Sequence, residues 1–418
     1  MRTVSPSKAS HFETVDLLRG LSIVAVVLIH VAVSTQTAHI PLLPKVPGWI
    51  LFPFLWNGNN GVKVFFVVSG FLITITSIRR FGGLTGMQAG RFYRIRFARI
   101  APLLLLVLAL LSLLHAMHIP GFAINTRRIT LLRAVIAALT FHINWLMAWR
   151  GYLPLGWDVL WSLSVEEMFY LFFPLACLLL LRLRHGLPIF IAVLLAFVVM
   201  GPFARTVWTP NLRWQLWSYL GAMDGIALGC LTALLTDHLQ KHARLSRALL
   251  LSIQAVGAAL MLLVVLWPHI PDLIAVLLPP YITGNPRPHF IDVIAHTGLD
   301  ATILSLGTAL VILSSALLAQ RGALWSAPFR WCGRHSYEIY LTHEFVLVIG
   351  LSAFQLTHRR GNFTIWFGAI LLATGGAGWL VARFFSEPLN RRLRGPDLRG
   401  PENLSAQSLP GAAVETIA

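Results

Sequence analysis

The sequence predicts an all-α integral membrane protein, a polytopic bundle of about ten transmembrane helices. Three observations carry that prediction. Hydrophobic residues make up 56% of the 418 positions and charged residues only 12%, against roughly a quarter charged in soluble domains. Apolar runs recur at 16–36, 62–78, 100–117, 131–148, 160–181, 188–204, 217–236, 248–267, 299–319, 335–352 and 364–385, most of them near the ~20 residues that span a bilayer. The basic residues sit in short clusters between these runs. The net charge of +17 therefore reads as membrane topology, and nucleic-acid binding is excluded.

Charge bias sets the number of crossings. If 131–148 enters the membrane without crossing, 22 of the 33 Lys and Arg residues share one face. They include Arg19, the six arginines from Arg79 to Arg99, Arg182, Arg184, Lys241, Arg330, Arg334 and Arg391. The 131–148 segment also carries Arg133, His142 and Asn144, which suit a buried or re-entrant helix. The expectation is ten crossings with both termini cytoplasmic. Residues 1–394 then form one transmembrane domain, and 395–418 a polar, disordered tail. No cleavable signal peptide is visible, and the run from Leu17 reads as a signal anchor and first span. The longest outer loop, 268–298, is Pro-rich. Cys177, Cys230 and Cys332 read as buried thiols without a disulfide framework, and no Cys/His spacing suggests a metal site. No internal repeat is visible, which disfavours transporter folds built from duplicated halves.

Polar side chains inside the apolar runs are costly and point to function. In the first run Arg19 and His30 are eleven residues apart. That is about three helical turns, so they share a face ~16 Å apart along the axis. Asp16 and Ser34 extend the stripe. A histidine suits general-base work near neutral pH; the plain alternative is an ion pair of Asp16 with Arg19 and a packed, hydrogen-bonded His30. In the 160–181 run Ser162, Glu166 and Tyr170 share a face. Counted from the outer surface, Glu166 and His30 reach similar depth, which predicts that Glu166 orients the imidazole. The alternative bonds Glu166 to Trp161, Tyr170 or the backbone.

Ser69-Gly70 in the second run reads as close helix packing. Arg91, Arg94, Arg96 and Arg99, interleaved with Phe92 and Tyr93 and preceded by Arg79 and Arg80, serve topology and anionic lipid or grip phosphates with paired donors. In the 335–352 run Glu338 and His343 are candidates to line one cavity, with packing as the alternative.

Six segments in order resemble the membrane-bound acyltransferase-3 family: Asp16-Leu17-Leu18-Arg19-Gly20 with His30, Phe66 to Ile73, Arg91 to Pro102, Trp161-Ser162 to Tyr170, Ser336 to His343, and Ser386-Glu387-Pro388. The resemblance spans residues 12 to about 394. It implies about ten helices and transfer of an acyl group, most commonly acetyl, from cytoplasmic acyl-CoA. The acceptor is a hydroxyl of an extracytoplasmic polysaccharide, glycan precursor or lipid-linked molecule. It implies that His30 and Arg19 are the family's essential Arg and His, that Arg91 and Arg94, with Arg96 and Arg99 beside them, hold the CoA phosphates, and that Glu166 is its catalytic carboxylate. Acyl-CoA is then a donor substrate; no permanently bound cofactor and no metal are expected. The implied setting is the inner membrane of a bacterium, as a monomer or homo-oligomer. Some family members append an esterase-like domain, and none is expected here. The rival class is a secondary transporter or flippase using the same buried polar residues.

Overall fold

The computed structural model describes residues 12–40, 42, 54–207, 212–266, 298–320, 322–357 and 363–395. The tail beyond Gly395, most of the Pro-rich outer loop, and Arg2 and Lys8 of the charge count lie outside the described residues. Among those described, ten helices are long and apolar enough to cross a membrane.

In chain order the helices are α1 (Glu13–Thr37), α2 (Gly58–Phe81), α3 (Ala89–Ala116), α4 (Leu131–Leu139), α5 (Ile143–Arg150), α6 (Leu160–Leu180), α7 (Gly186–Thr206), α8 (Leu212–Trp217), α9 (Tyr219–His242), α10 (Arg247–Leu266), α11 (Leu299–Leu318), α12 (Ala327–Arg334), α13 (Ser336–Leu356), α14 (Phe363–Val381) and α15 (Glu387–Arg394). The 131–148 run becomes α4 and α5, of nine and eight residues. They part at Phe141, whose φ is +57°, and neither is long enough to cross.

α2 is central. Some 72% of its apolar window is buried, against 17% for α10. It meets α9 backbone to backbone: a Cβ on Gly70 would run into the Ile226 carbonyl, and one on Gly229 into the Val67 carbonyl. Lipid tails are as apolar as leucine, so helices in a membrane associate through such close packing. This is the packing role expected of Gly70.

α7, α9 and α11 are clipped by a buried ion pair. The Arg205 guanidinium donates to both Asp224 oxygens at 3.0 and 2.8 Å, to the Gly298 carbonyl and to Thr302. With this many acceptors the buried charge is satisfied.

Two features position the site. α1 and α13 run parallel along one seam, tied at Arg19–Ser336 and again at His30–Glu344. Near the end of the described chain a π-helical turn, Ala382–Ser386, links α14 to α15. α15 lies on α3, where Arg94 Nε donates to the Leu393 carbonyl at 3.2 Å.

Candidate active site

His30 lies on α1 with Nδ1 2.7 Å from the Val26 carbonyl. A carbonyl only accepts, so Nδ1 carries the hydrogen and a neutral ring presents its lone pair at Nε2. That atom faces Glu344 Oε1 at 3.3 Å. The Glu344 side chain is 1% exposed, whereas His30 retains 22%. The base is therefore reachable while its carboxylate is shielded from water.

The environment of Glu344 is built by the chain leading into α6. Gly156, at φ +82°, turns its amide to donate to Glu344 Oε2. Asp158 is a hydrogen-bond neighbour of Glu344. Burial raises the Asp158 carboxyl above the ordinary carboxylate range, with nearby His30 pulling the other way. Two carboxyl groups in hydrogen-bond contact share a proton. Tyr340 locks α13 to the head of α6, donating to the Val159 carbonyl at 2.8 Å and lying 2.7 Å from Ser162 Oγ. His343 packs edge-on against His30, ring centroids 4.9 Å apart.

A second polar cluster lies along the same seam toward the arginine-rich face. Arg19 donates to Ser336 at 2.8 Å and lies 4.0 Å from Asp16. Glu166 accepts a long bond from Tyr170 at 3.5 Å, and its charged neighbours are Arg96, Arg19 and Arg99. Arg96 lies over the Tyr170 ring at 4.3 Å, and Tyr170 also contacts Ser69.

This arrangement corrects one pairing. The carboxylate beside His30 is Glu344, and Glu166 belongs with Arg19, Arg96 and Tyr170. The cause is helix direction. Ser162 and Tyr340 are level, but α6 and α13 run oppositely from there. Four residues along each leads to Glu166 on one side and Glu344 on the other, a separation of ~12 Å. The alternative expectation, a bond to Tyr170, is the one observed. Glu344 drew no attention in the sequence, although a carboxylate in an apolar run was itself the signal. His343 does join His30, whereas Glu338 lies within electrostatic range of Arg19 instead.

The arginine cluster divides by helical face. Phe92, Ile100 and Leu103 are buried, and Arg96 and Arg99 are partly buried beside them. Arg91 and Arg94 are exposed: Arg91 donates to Gln88 at 3.2 Å and Arg94 holds α15. Arg80 and Arg394 are near neighbours of Arg96, and Arg394 is also close to Arg99.

A family profile described as an acyltransferase domain matches residues 12–382. The chain belongs to the acyltransferase-3 family. Among curated relatives of this acyltransferase, the peptidoglycan O-acetyltransferase OatA of Listeria monocytogenes is 22% identical over 407 residues, covering 94% of this chain and 58% of that protein. The O-acetyltransferase OatA of Staphylococcus aureus is 24% identical over 366 residues, covering 81% of this chain and 54% of that protein. The chain thus spans somewhat over half the length of these relatives. No solved structure matches it.

Proposed function

We propose that this acyltransferase moves an acetyl group from cytoplasmic acetyl-CoA to a hydroxyl of an extracytoplasmic glycan. The observation that carries the reading is the His30–Glu344 pair: an imidazole with a free Nε2 lone pair, partly exposed, against a buried carboxylate. The O-acetyltransferase names of the relatives support acetyl and a cell-wall or related polysaccharide.

In the proposed reaction the acceptor hydroxyl attacks the thioester carbonyl as its proton passes to His30 Nε2. Glu344 Oε1, 3.3 Å from Nε2, stabilises the charge of the imidazolium. The C–S bond then breaks, the ester is released, and the proton returns to the departing thiolate. Base catalysis of this kind is worth about 10²–10⁴-fold. Glu344 acts as a positioning and electrostatic partner; the proton itself moves through His30.

The donor phosphates would dock on the inward-facing Arg96 and Arg99, with Arg80 and Arg394 beside them. Planar guanidinium forks suit phosphate oxygens. The pantetheine arm would run along the α1–α13 seam past Arg19 and Glu166, a distance of ~16 Å from Arg19 to His30. In this reading the arginine face and both termini would lie in the cytoplasm of a bacterium, and the acceptor would reach His30 from outside.

The test is purified protein in lipid nanodiscs with acetyl-labelled CoA and glycan fragments. Thioester consumption that requires the acceptor and yields an ester supports the reading. Solute movement across vesicles with the thioester intact would assign the chain to transport.

A further inference from the structure

We propose that His30, His343 and Glu344 form a binding site for a zinc-class divalent cation, and that a cation seated there switches off transfer. The second half rests on the assignment of His30 as the base; the first does not.

One ligand atom from each of the three residues lies within 4.8 Å of the other two. Both imidazoles are oriented the same way. His30 Nδ1 is 2.7 Å from the Val26 carbonyl and His343 Nδ1 is 2.8 Å from the Tyr340 carbonyl. Each therefore offers Nε2 as a ligand, in the tautomer a metal requires. His343 Nε2 and Glu344 Oε1 are buried and make no hydrogen bond, and both residues are 1% exposed. A buried polar atom without a partner costs about 1–3 kcal/mol, so two of them on neighbouring residues of this cluster mark a place for a cation. At His30–Glu344 two lone pairs face each other across 3.3 Å; a positive charge between them, proton or metal, resolves the opposition.

The outer partners are those of a built metal site. Two backbone carbonyls hold the imidazoles, while the Gly156 amide and the Asp158 carboxyl hold the ligand carboxylate. Such partners fix ligand orientation in metalloproteins. Two imidazoles and one carboxylate favour zinc over calcium or magnesium, which prefer all-oxygen shells. Ligands about 2.0–2.1 Å from a tetrahedral zinc stand roughly 3.4 Å apart, and the His30–Glu344 edge already has that length. The third ligand needs a modest inward turn of the His343 ring. A metal on His30 Nε2 occupies the lone pair that takes the acceptor's proton, so binding and transfer exclude each other. The ligands lie 313 and 314 positions apart in sequence, which is why no metal spacing was legible there.

The experiment uses the full chain, purified without a histidine tag, stripped with chelator and titrated with Co²⁺ as an absorbing substitute for Zn²⁺. The expected result is one Co²⁺ per chain with the visible bands of a tetrahedral nitrogen–oxygen site. Replacing His343→Ala should weaken it by at least about a hundredfold, since even outer partners are worth 10–100-fold. The exposed pair His238 and His242 on α9 is the competing surface site, and His238→Ala with His242→Ala should leave the tight ion in place. Saturating Zn²⁺ should reduce transfer by wild-type protein to background, and chelator should restore it. Less than one tight Co²⁺ per wild-type chain overturns the site without needing any variant to fold. Transfer that persists or rises with the site filled overturns the switch. A metal-free protein with no transfer would sink the proposed function and leave the binding result readable.

Discussion

Replacing Glu344→Gln isolates the contribution of the buried carboxylate. The amide keeps the volume and its oxygen still accepts from Gly156, which puts its NH₂ in the Oε1 position facing His30 Nε2. The tautomer of His30 is also kept, because the Val26 carbonyl and not the carboxylate fixes it. What is lost is the negative charge 3.3 Å from Nε2 when the imidazolium forms. Coulomb attraction at that separation is about 5 kcal/mol at an effective dielectric of 20, an upper bound because the ions also lose hydration. A hydrogen bond to a charged group nets about 1.5–3 kcal/mol, or roughly a 10- to 150-fold loss in kcat. The assay is ester formation from labelled acetyl-CoA at saturating donor, with thermal unfolding in detergent as a control. The donor KM should stay near wild type. A fully active Glu344→Gln protein, or one whose whole defect lies in donor KM, refutes the assigned role.

The remaining predictions separate donor docking, packing and charge burial. Arg96→Ala with Arg99→Ala should raise the donor KM with little change in kcat at saturation, while Arg91→Ala, on the exposed face of α3, should leave both nearly unchanged; donor titrations decide. Glu166→Gln should act with the arginines, on donor KM, and not mimic Glu344→Gln. Asp224→Asn leaves the buried Arg205 charge without its carboxylate, which should cost about 3–5 kcal/mol, read as a lowered unfolding midpoint in detergent. Gly229→Val places a side chain against the Val67 carbonyl and should prevent assembly of α2 with α9, seen as loss of monodisperse protein.

Much of this architecture was legible in the amino-acid order. The spans follow from apolar runs, and the alternation of arginine clusters singled out 131–148, which the structure resolves into two short helices. The Arg19–His30 stripe followed from the 3.6-residue period, because both residues belong to one helix. The partner of His30 was not legible in the same way. Periodicity gives the face of a helix but not which other helix covers it, and Glu344 lies 314 residues away. Depth counted from the end of an apolar run misled for Glu166, since α6 enters the bundle behind a largely buried lead-in, Gly156–Val159, that sets its level. The division of the arginines was available in principle: Phe92, Ile100, Leu103 and Val107 repeat at helical spacing, and Arg96 and Arg99 lie on their side.

The central claim is that the His30 imidazole receives the acceptor's proton. The most direct measurement is acetyl transfer by a folded His30→Gln protein, with donor binding measured on the same sample. The account predicts near-normal donor affinity and a rate lower by about 10²-fold or more. Transfer at the wild-type rate would contradict it.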